Sequence, residues 1–281
     1  MGNRTTYAGR RGSPFGPKLL VALVIAASSL FAYFSNTDFN EVTQEKQHLS
    51  MTPDQEITLG LQAAPEMAAQ YGGESTDPRE NQMVDQIGNQ IVNKTAAAST
   101  PYKFDFHVLA DDKTVNAFAL PGGQVYITRA LLNKLSTEGQ LAGVLGHEIG
   151  HVVARHSAEH LAKQQLTSGL TGAAAIAMYD PENPQSRNSA MIAAMIGSLV
   201  NMRFGRQDEL ESDRLAVRFT AESGYDPRAM IEVMKILGAS SGKGRAPEFF
   251  STHPNPENRI GRIQEAISER FPTGVPDNLV K

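Results

Sequence analysis

The chain has 281 residues, 41% apolar and 20% charged, enough to build the core of one large domain or two small ones. A formal net charge of −4, with no long basic run in the body of the chain, argues against nucleic acid as the main partner. The absence of cysteine excludes disulfides, thiolate metal ligands, a cysteine nucleophile and a lipid-modified cysteine, so any metal site must use His, Asp or Glu.

Residues 1–18 are polar and basic, with Arg4, Arg10, Arg11 and Lys18. An apolar run of 16 residues follows, Leu19 to Phe34, just short of the usual spanning length of about 17–25. Positive charge ahead of such a run predicts a cytoplasmic tail over 1–18 and a signal anchor over 19–35, with a cleaved signal peptide as the alternative. The expected location is therefore membrane-anchored and single-pass with an extracytoplasmic body, or secreted after cleavage. Residues 36–50 read as a polar linker, and 51–281 as the folded domain.

Thr52-Pro53-Asp54-Gln55 opens a helix that stops near Gly72-Gly73: Thr caps, Pro takes the first position and Gln stands three after the cap. Asp77-Pro78-Arg79-Glu80 repeats the signal for a helix with Met83, Ile87, Ile91 and Val92 on its apolar face. Three short strands come next: around Phe104 to Val108, Val115 to Leu120 and Gln124 to Thr128, with Pro121-Gly122-Gly123 as a turn. His107 alternates outward and reads as an ordinary exposed histidine. Three or four strands beside a mainly helical chain predict an α+β fold, not a doubly wound sheet.

Ser136-Thr137-Glu138 opens the helix that carries His147-Glu148-Ile149-Gly150-His151, an H-E-x-x-H. Residues four apart share a helix face, so His147 and His151 can present two imidazoles to one metal ion. Glu148 stands beside the first and can reach a water there as general base. His156 and His160 project off that face if the helix continues at about 100° per residue, and read as helix surface. Small-residue runs, Leu166 to Met178 and Met191 to Met202, suggest two closely packed helices or a flap near the site.

A zinc hydrolase wants three protein ligands and an open position. Ala154 and Ser157 occupy the places where a metzincin needs Gly and His, which rejects that class. The other solution is a glutamate on a second helix with an aspartate one turn later. Glu209…Asp213 is the one such pair after the motif that opens an apolar-periodic helix, so Glu209 is the expected ligand. Asp213 would hold the far N–H of a ligand histidine. Asp226-Pro227 starts a further helix, and Asn255-Pro256 caps the last one.

The set NAFALPGGQVYITRALL, GHEIGHVVARHSAEH, R-x-x-E-x-x-S-D and STHPNPENRI, in this order over roughly residues 50–270, resembles the gluzincin metallopeptidases. That family includes the CAAX prenyl protease, HtpX and the mitochondrial Oma-type proteases. The resemblance implies a mainly helical zincin fold and one zinc ion (Zn2+) per chain. It implies His147, His151 and Glu209 as ligands, Glu148 as base and Asp213 behind the ligands. It adds Arg206 as a brace of the same helix, and His253 and Arg259 near the site as polarising groups or as an occluding lid. Gly205 and Ser212 stand where many relatives have Ser and Ala. Without several spans or a C-terminal repeat domain, the chain resembles the compact bacterial type. The expected activity is endopeptidase action on unfolded or misfolded membrane and envelope proteins. Polypeptide substrates would lie extended along the edge strand at Asn116, Ala117 and Phe118. A latent zinc-containing chaperone or regulatory binder with an occluded site is the alternative.

Overall fold

The computed structural model describes residues 15–178, 202–240, 247–255 and 258–281. Most of them are helical, with a three-stranded sheet and a separate hairpin, an α+β arrangement. The two helix starts form as the sequence reads. Thr52 and Gln55 make a reciprocal capping box on α2 (Pro53–Gln70), and Asp77 caps α3 (Pro78–Lys94) through Arg79 N–H. On α3 the buried face includes Ile87 and Ile91 as expected, with Val92 packed against it, but its first apolar residue is Val84, whereas Met83 points outward.

The sheet has the order β3 (Asp105–Leu109), β5 (Gln124–Thr128), β4 (Ala117–Ala119). β3 runs parallel to β5, and β4 runs antiparallel with Phe118 opposite Tyr126. The turn between β4 and β5 needs positive φ at Gly122 (86°) and Gly123 (113°), which L side chains avoid. α2 lies so close to this turn that a Cβ at Gly60 would collide with the Pro121 carbonyl oxygen, a backbone atom. Gly60→Ala is therefore expected to cost about 1–3 kcal/mol. A urea midpoint equal to that of the parent would refute the close approach. His107 is not an exposed histidine: its side chain is mostly covered, stacked on Tyr126 at 4.7 Å and hydrogen-bonded to Gln124.

The short α4 (Arg129–Leu132) leads to α5 (Glu138–Val153), which carries the H-E-x-x-H stretch and is buried along nearly its whole length. Leu141, Leu145 and Ile149 enter the main core with α3, β3 and β5. The opposite side receives α7 (Arg206–Glu222), the helix of Glu209. Glycines allow that approach: a Cβ at Gly150 would stand 3.2 Å from Ser212 Oγ. α8 (Ala229–Ala239) packs beside them, with Met230 against Gly143. The short α9 (Phe249–Thr252) and α10 (Arg259–Arg270) complete the domain. Asn258, in the left-handed region at φ 58°, precedes α10, so the last helix starts at Asn258 and not at Asn255-Pro256; Pro256 lies outside the described residues.

Two expectations for the N-terminal segment change. Residues 36–50 are not a linker: β1 (Thr37–Asn40) and β2 (Glu45–His48) form an antiparallel hairpin that caps the end of α5. Asn40 Nδ2 donates to Val153 O at 2.8 Å and Gln47 Nε2 to Ala154 O at 2.5 Å, satisfying carbonyls the helix leaves open. Among the described residues no helix is long and apolar enough to cross a membrane, which overturns the single-pass anchor. The run does become a helix, α1 (Phe15–Ser35). The 16-residue run, however, extends only about 24 Å at the helical rise, against a hydrocarbon core of about 30 Å. α1 packs instead along α6 (His156–Met178), Ser29 against Gly169. Of the two small-residue runs, the first lies in α6 and nearly all of the second falls outside the described residues.

Candidate metal centre

The H-E-x-x-H spacing puts both imidazoles on the α7 side of α5. His147 Nε2 and His151 Nε2 lie 3.1 Å apart. From α7, Glu209 brings Oε2 to 3.5 Å of the first and Oε1 to 3.4 Å of the second. His253, just after α9, presents Nδ1 to Glu209 Oε1 at 3.0 Å and Nε2 toward Glu148 Oε1 at 3.7 Å. Ligand atoms of His147, His151, Glu209 and His253 all lie within 4.8 Å of one another, and all four residues are buried. Aromatic rings wall the cluster: Phe204 stacks on His151 at 4.0 Å and Phe249 on His253 at 4.5 Å.

These residues fit a metal ion on chemical grounds. His147 Nδ1 stands 2.9 Å from Asp213 Oδ1, so a hydrogen on this nitrogen is turned toward the acid and Nε2 is the nitrogen that faces Glu209 and His151. Two imidazole nitrogens and a carboxylate turned toward one another at these distances call for a proton or a metal cation between them. Glu148 adds two fully buried carboxylate oxygens with no hydrogen-bond partner among the described residues. Orphaned acceptors of that kind cost free energy unless a donor occupies the space they face.

Electrostatics divide the groups. Burial pushes the Glu148 carboxyl up, and the neighbouring His253 and His147 oppose it. Burial also pushes Glu209 and Asp213 up, but the histidines around Glu209 and Arg259 and His147 around Asp213 prevail, and both end below the carboxylate range, Glu209 well below. For His147 burial opposes the charged form, yet Asp213 and Glu209 raise it to about 9; burial drives His151 well below its ordinary value. Two carboxylates are thus held ionised around the cluster, and the third, Glu148, is tuned toward taking up a proton.

The other expected site residues fall in different places. Arg259 is 2% exposed, and its guanidinium holds Asp213 through Nε (2.7 Å) and Nη2 (2.8 Å), with Nη1 3.0 Å from Glu209 Oε2. It sits behind the ligands, and its nitrogens are taken up by acids. Arg206 is exposed at the start of α7 and makes no ion pair among the described residues. Asn116 is buried and donates to Tyr71 Oη at 3.0 Å. Ala117 and Phe118 are buried too, and Phe118 stacks on Tyr126 at 5.0 Å. The edge strand thus commits its side chains to the core and has only main-chain groups to offer a partner.

One buried residue escapes the sequence reading. His156 is 1% exposed and touches His151. The helical extrapolation fails because α5 ends at Val153 and Arg155 takes a left-handed conformation, φ 57°, before α6 begins. Glu56 (2.5 Å), Asp38 (2.7 Å) and the Met51 carbonyl (3.1 Å) hold that arginine in place. A break two residues after the motif leaves no periodic signal.

A family model, peptidase family M48, matches residues 78–267. The chain belongs to peptidase family M48. It is 33% identical over 200 residues to the β-barrel assembly-enhancing protease of Escherichia coli (strain K12), covering 70% of this chain and 40% of that protein. It is 29% identical over 276 residues to a putative β-barrel assembly-enhancing protease of Vibrio cholerae, covering 94% of this chain and 55% of that one. The mitochondrial metalloendopeptidase OMA1 of Schizosaccharomyces pombe is 27% identical over 273 residues, covering 95% and 77%. The chain thus spans about half or less of the length of the bacterial relatives.

Proposed function

We propose that this protein is a zinc-dependent endopeptidase that cleaves unfolded or misfolded polypeptides. The observation that carries it is the convergence of His147, His151 and Glu209 beside a buried, unpartnered Glu148. His147, His151 and Glu209 would hold one zinc per chain, with Asp213 fixing the orientation of His147. When bound there, zinc supplies Lewis acidity, which lowers the pKa of a water and stabilises negative charge on a carbonyl oxygen. Glu148 takes the proton of the attacking water; its raised proton affinity suits that task. It then returns the proton to the leaving amine. Main-chain pairing to β4 would bind an extended substrate and read little of its side-chain identity, which fits a broad range of unfolded chains. Similarity to the β-barrel assembly-enhancing protease of E. coli supports clients from β-barrel assembly.

The test is casein hydrolysis by the purified chain together with metal analysis. About one zinc per chain and cleavage that a chelator abolishes and added zinc restores are expected. A protein that takes up no zinc would sink the reading.

Full burial of His253 within the ligand cluster favours a second reading, that the resting site is latent. His253 then takes the position a water needs and lies against the base. His253→Ala is expected to raise casein cleavage several-fold, whereas a fall would assign His253 to polarising the substrate.

A further inference from the structure

His156 and Glu211 stand outside the ligand set, yet they form a chain of contacts that ends on a ligand. His156 Nδ1 lies 2.9 Å from His151 Nδ1, and His156 Nε2 lies 3.0 Å from Glu211 Oε2. A carboxylate only accepts, so His156 Nε2 carries its hydrogen toward Glu211. In the neutral ring Nδ1 is then a lone pair. The hydrogen between the two histidines must therefore sit on His151 Nδ1. That leaves His151 Nε2 bare and turned toward Glu209 and His147, the form in which an imidazole binds a metal.

We propose that the His156–Glu211 pair is a positioning device for the second metal ligand: it selects the tautomer of His151 and fixes its ring, as Asp213 does for His147. This rests on the metal reading of the site. His147 is oriented by a charged carboxylate in direct contact, at 2.9 Å. His151 receives the same service at one remove, through an imidazole, from a glutamate whose side chain is 28% exposed. The device depends on the fold at two points. The left-handed turn at Arg155 swings His156 back onto His151. Phe204, stacked on the His151 ring, prevents it from rotating away. Opposite polarity, with the hydrogen on His156 Nδ1, would place an N–H of His151 against the ion and block coordination.

Two measurements test this on the full chain. In the zinc-loaded parent, long-range proton–nitrogen NMR of the histidine rings is expected to show His151 with hydrogen on Nδ1 and His156 with hydrogen on Nε2. Hydrogen on His156 Nδ1 would overturn the proposal, and this readout requires no variant to fold. Chelator competition with zinc gives the second. His156→Phe keeps the ring and removes the acceptor, and zinc affinity is expected to fall about 10–100-fold. His156→Asn restores an acceptor oxygen near the same place and should recover most of that loss. Metal-free thermal unfolding of the two variants separates a general loss of packing, which would weaken both alike. Parent-like zinc affinity in His156→Phe overturns the positioning role while the metal reading stands. A parent that binds no zinc overturns both.

Discussion

Glu148→Gln is expected to lower casein hydrolysis by about 10²–10⁴-fold with zinc content unchanged. The substitution preserves shape and removes only the capacity to take and return a proton. In energy that is roughly 3–5 kcal/mol of barrier. Glu148 is the residue of choice because it is wholly buried, its two oxygens make no hydrogen bond among the described residues, and burial raises its proton affinity. It is not among the four residues whose atoms converge to ligand distance, so metal binding should survive its loss. Stability should also hold or rise, since a neutral amide costs less to bury than a carboxylate. Rates of parent and variant on casein, with zinc measured in the same samples, decide the matter. Equal rates would remove Glu148 from the chemistry, and a variant stripped of zinc would move it into the ligand set.

Arg259→Met is expected to destabilise the metal-free protein by about 3–5 kcal/mol. The guanidinium is 2% exposed and lies between Asp213 and Glu209, at 2.7 and 3.0 Å. Removing it leaves two buried carboxylates beside the Glu148 side chain with no fixed cation of comparable charge. Methionine fills much the same volume, so the loss would be electrostatic and not a cavity effect. Asp213 illustrates the sign. Its proton affinity in the folded protein is depressed despite burial, because Arg259 and His147 favour the ionised form. The stabilisation it provides is present above the ordinary carboxylate range and disappears as pH falls through the depressed value. Bound zinc would supply positive charge at the same place, so the loss should be smaller in the zinc-loaded protein. Urea unfolding with and without zinc measures both quantities. A metal-free loss below about 1 kcal/mol would mean that water or neighbouring histidines already neutralise the two acids.

Much of the site is legible in sequence because its spacing is local. His147 and His151 are one turn apart, and so are Glu209 and Asp213; a helix alone brings each pair to one face. The capping box at Thr52 and the cap at Asp77 are local in the same sense, as hydrogen bonds within four residues. What failed was reading across a break or across a distance. His156 looked like helix surface because the turn at Arg155 depends on Glu56 and Asp38, about a hundred residues earlier. Residues 36–50 looked like a linker because Asn40 and Gln47 bond to the end of α5, more than a hundred residues later. The anchor failed on length: the run is uncharged and mostly apolar, but charge order and composition do not measure reach against a bilayer.

By itself, the sequence determined the class of site: no thiolate, two imidazoles on one helix turn, a carboxylate beside them, and a second acidic turn downstream. These follow from residue type and the 3.6-residue period. Only the tertiary structure decided how they meet. Gly150 lets α7 lie close enough on α5 for Glu209 to reach both histidines. The chain after α9 buries His253 among the ligands, and Arg259 is drawn behind them instead of facing a substrate. Helix-to-helix distance and the burial of charge are properties of the packed whole, because each depends on side chains that no local window of the chain contains.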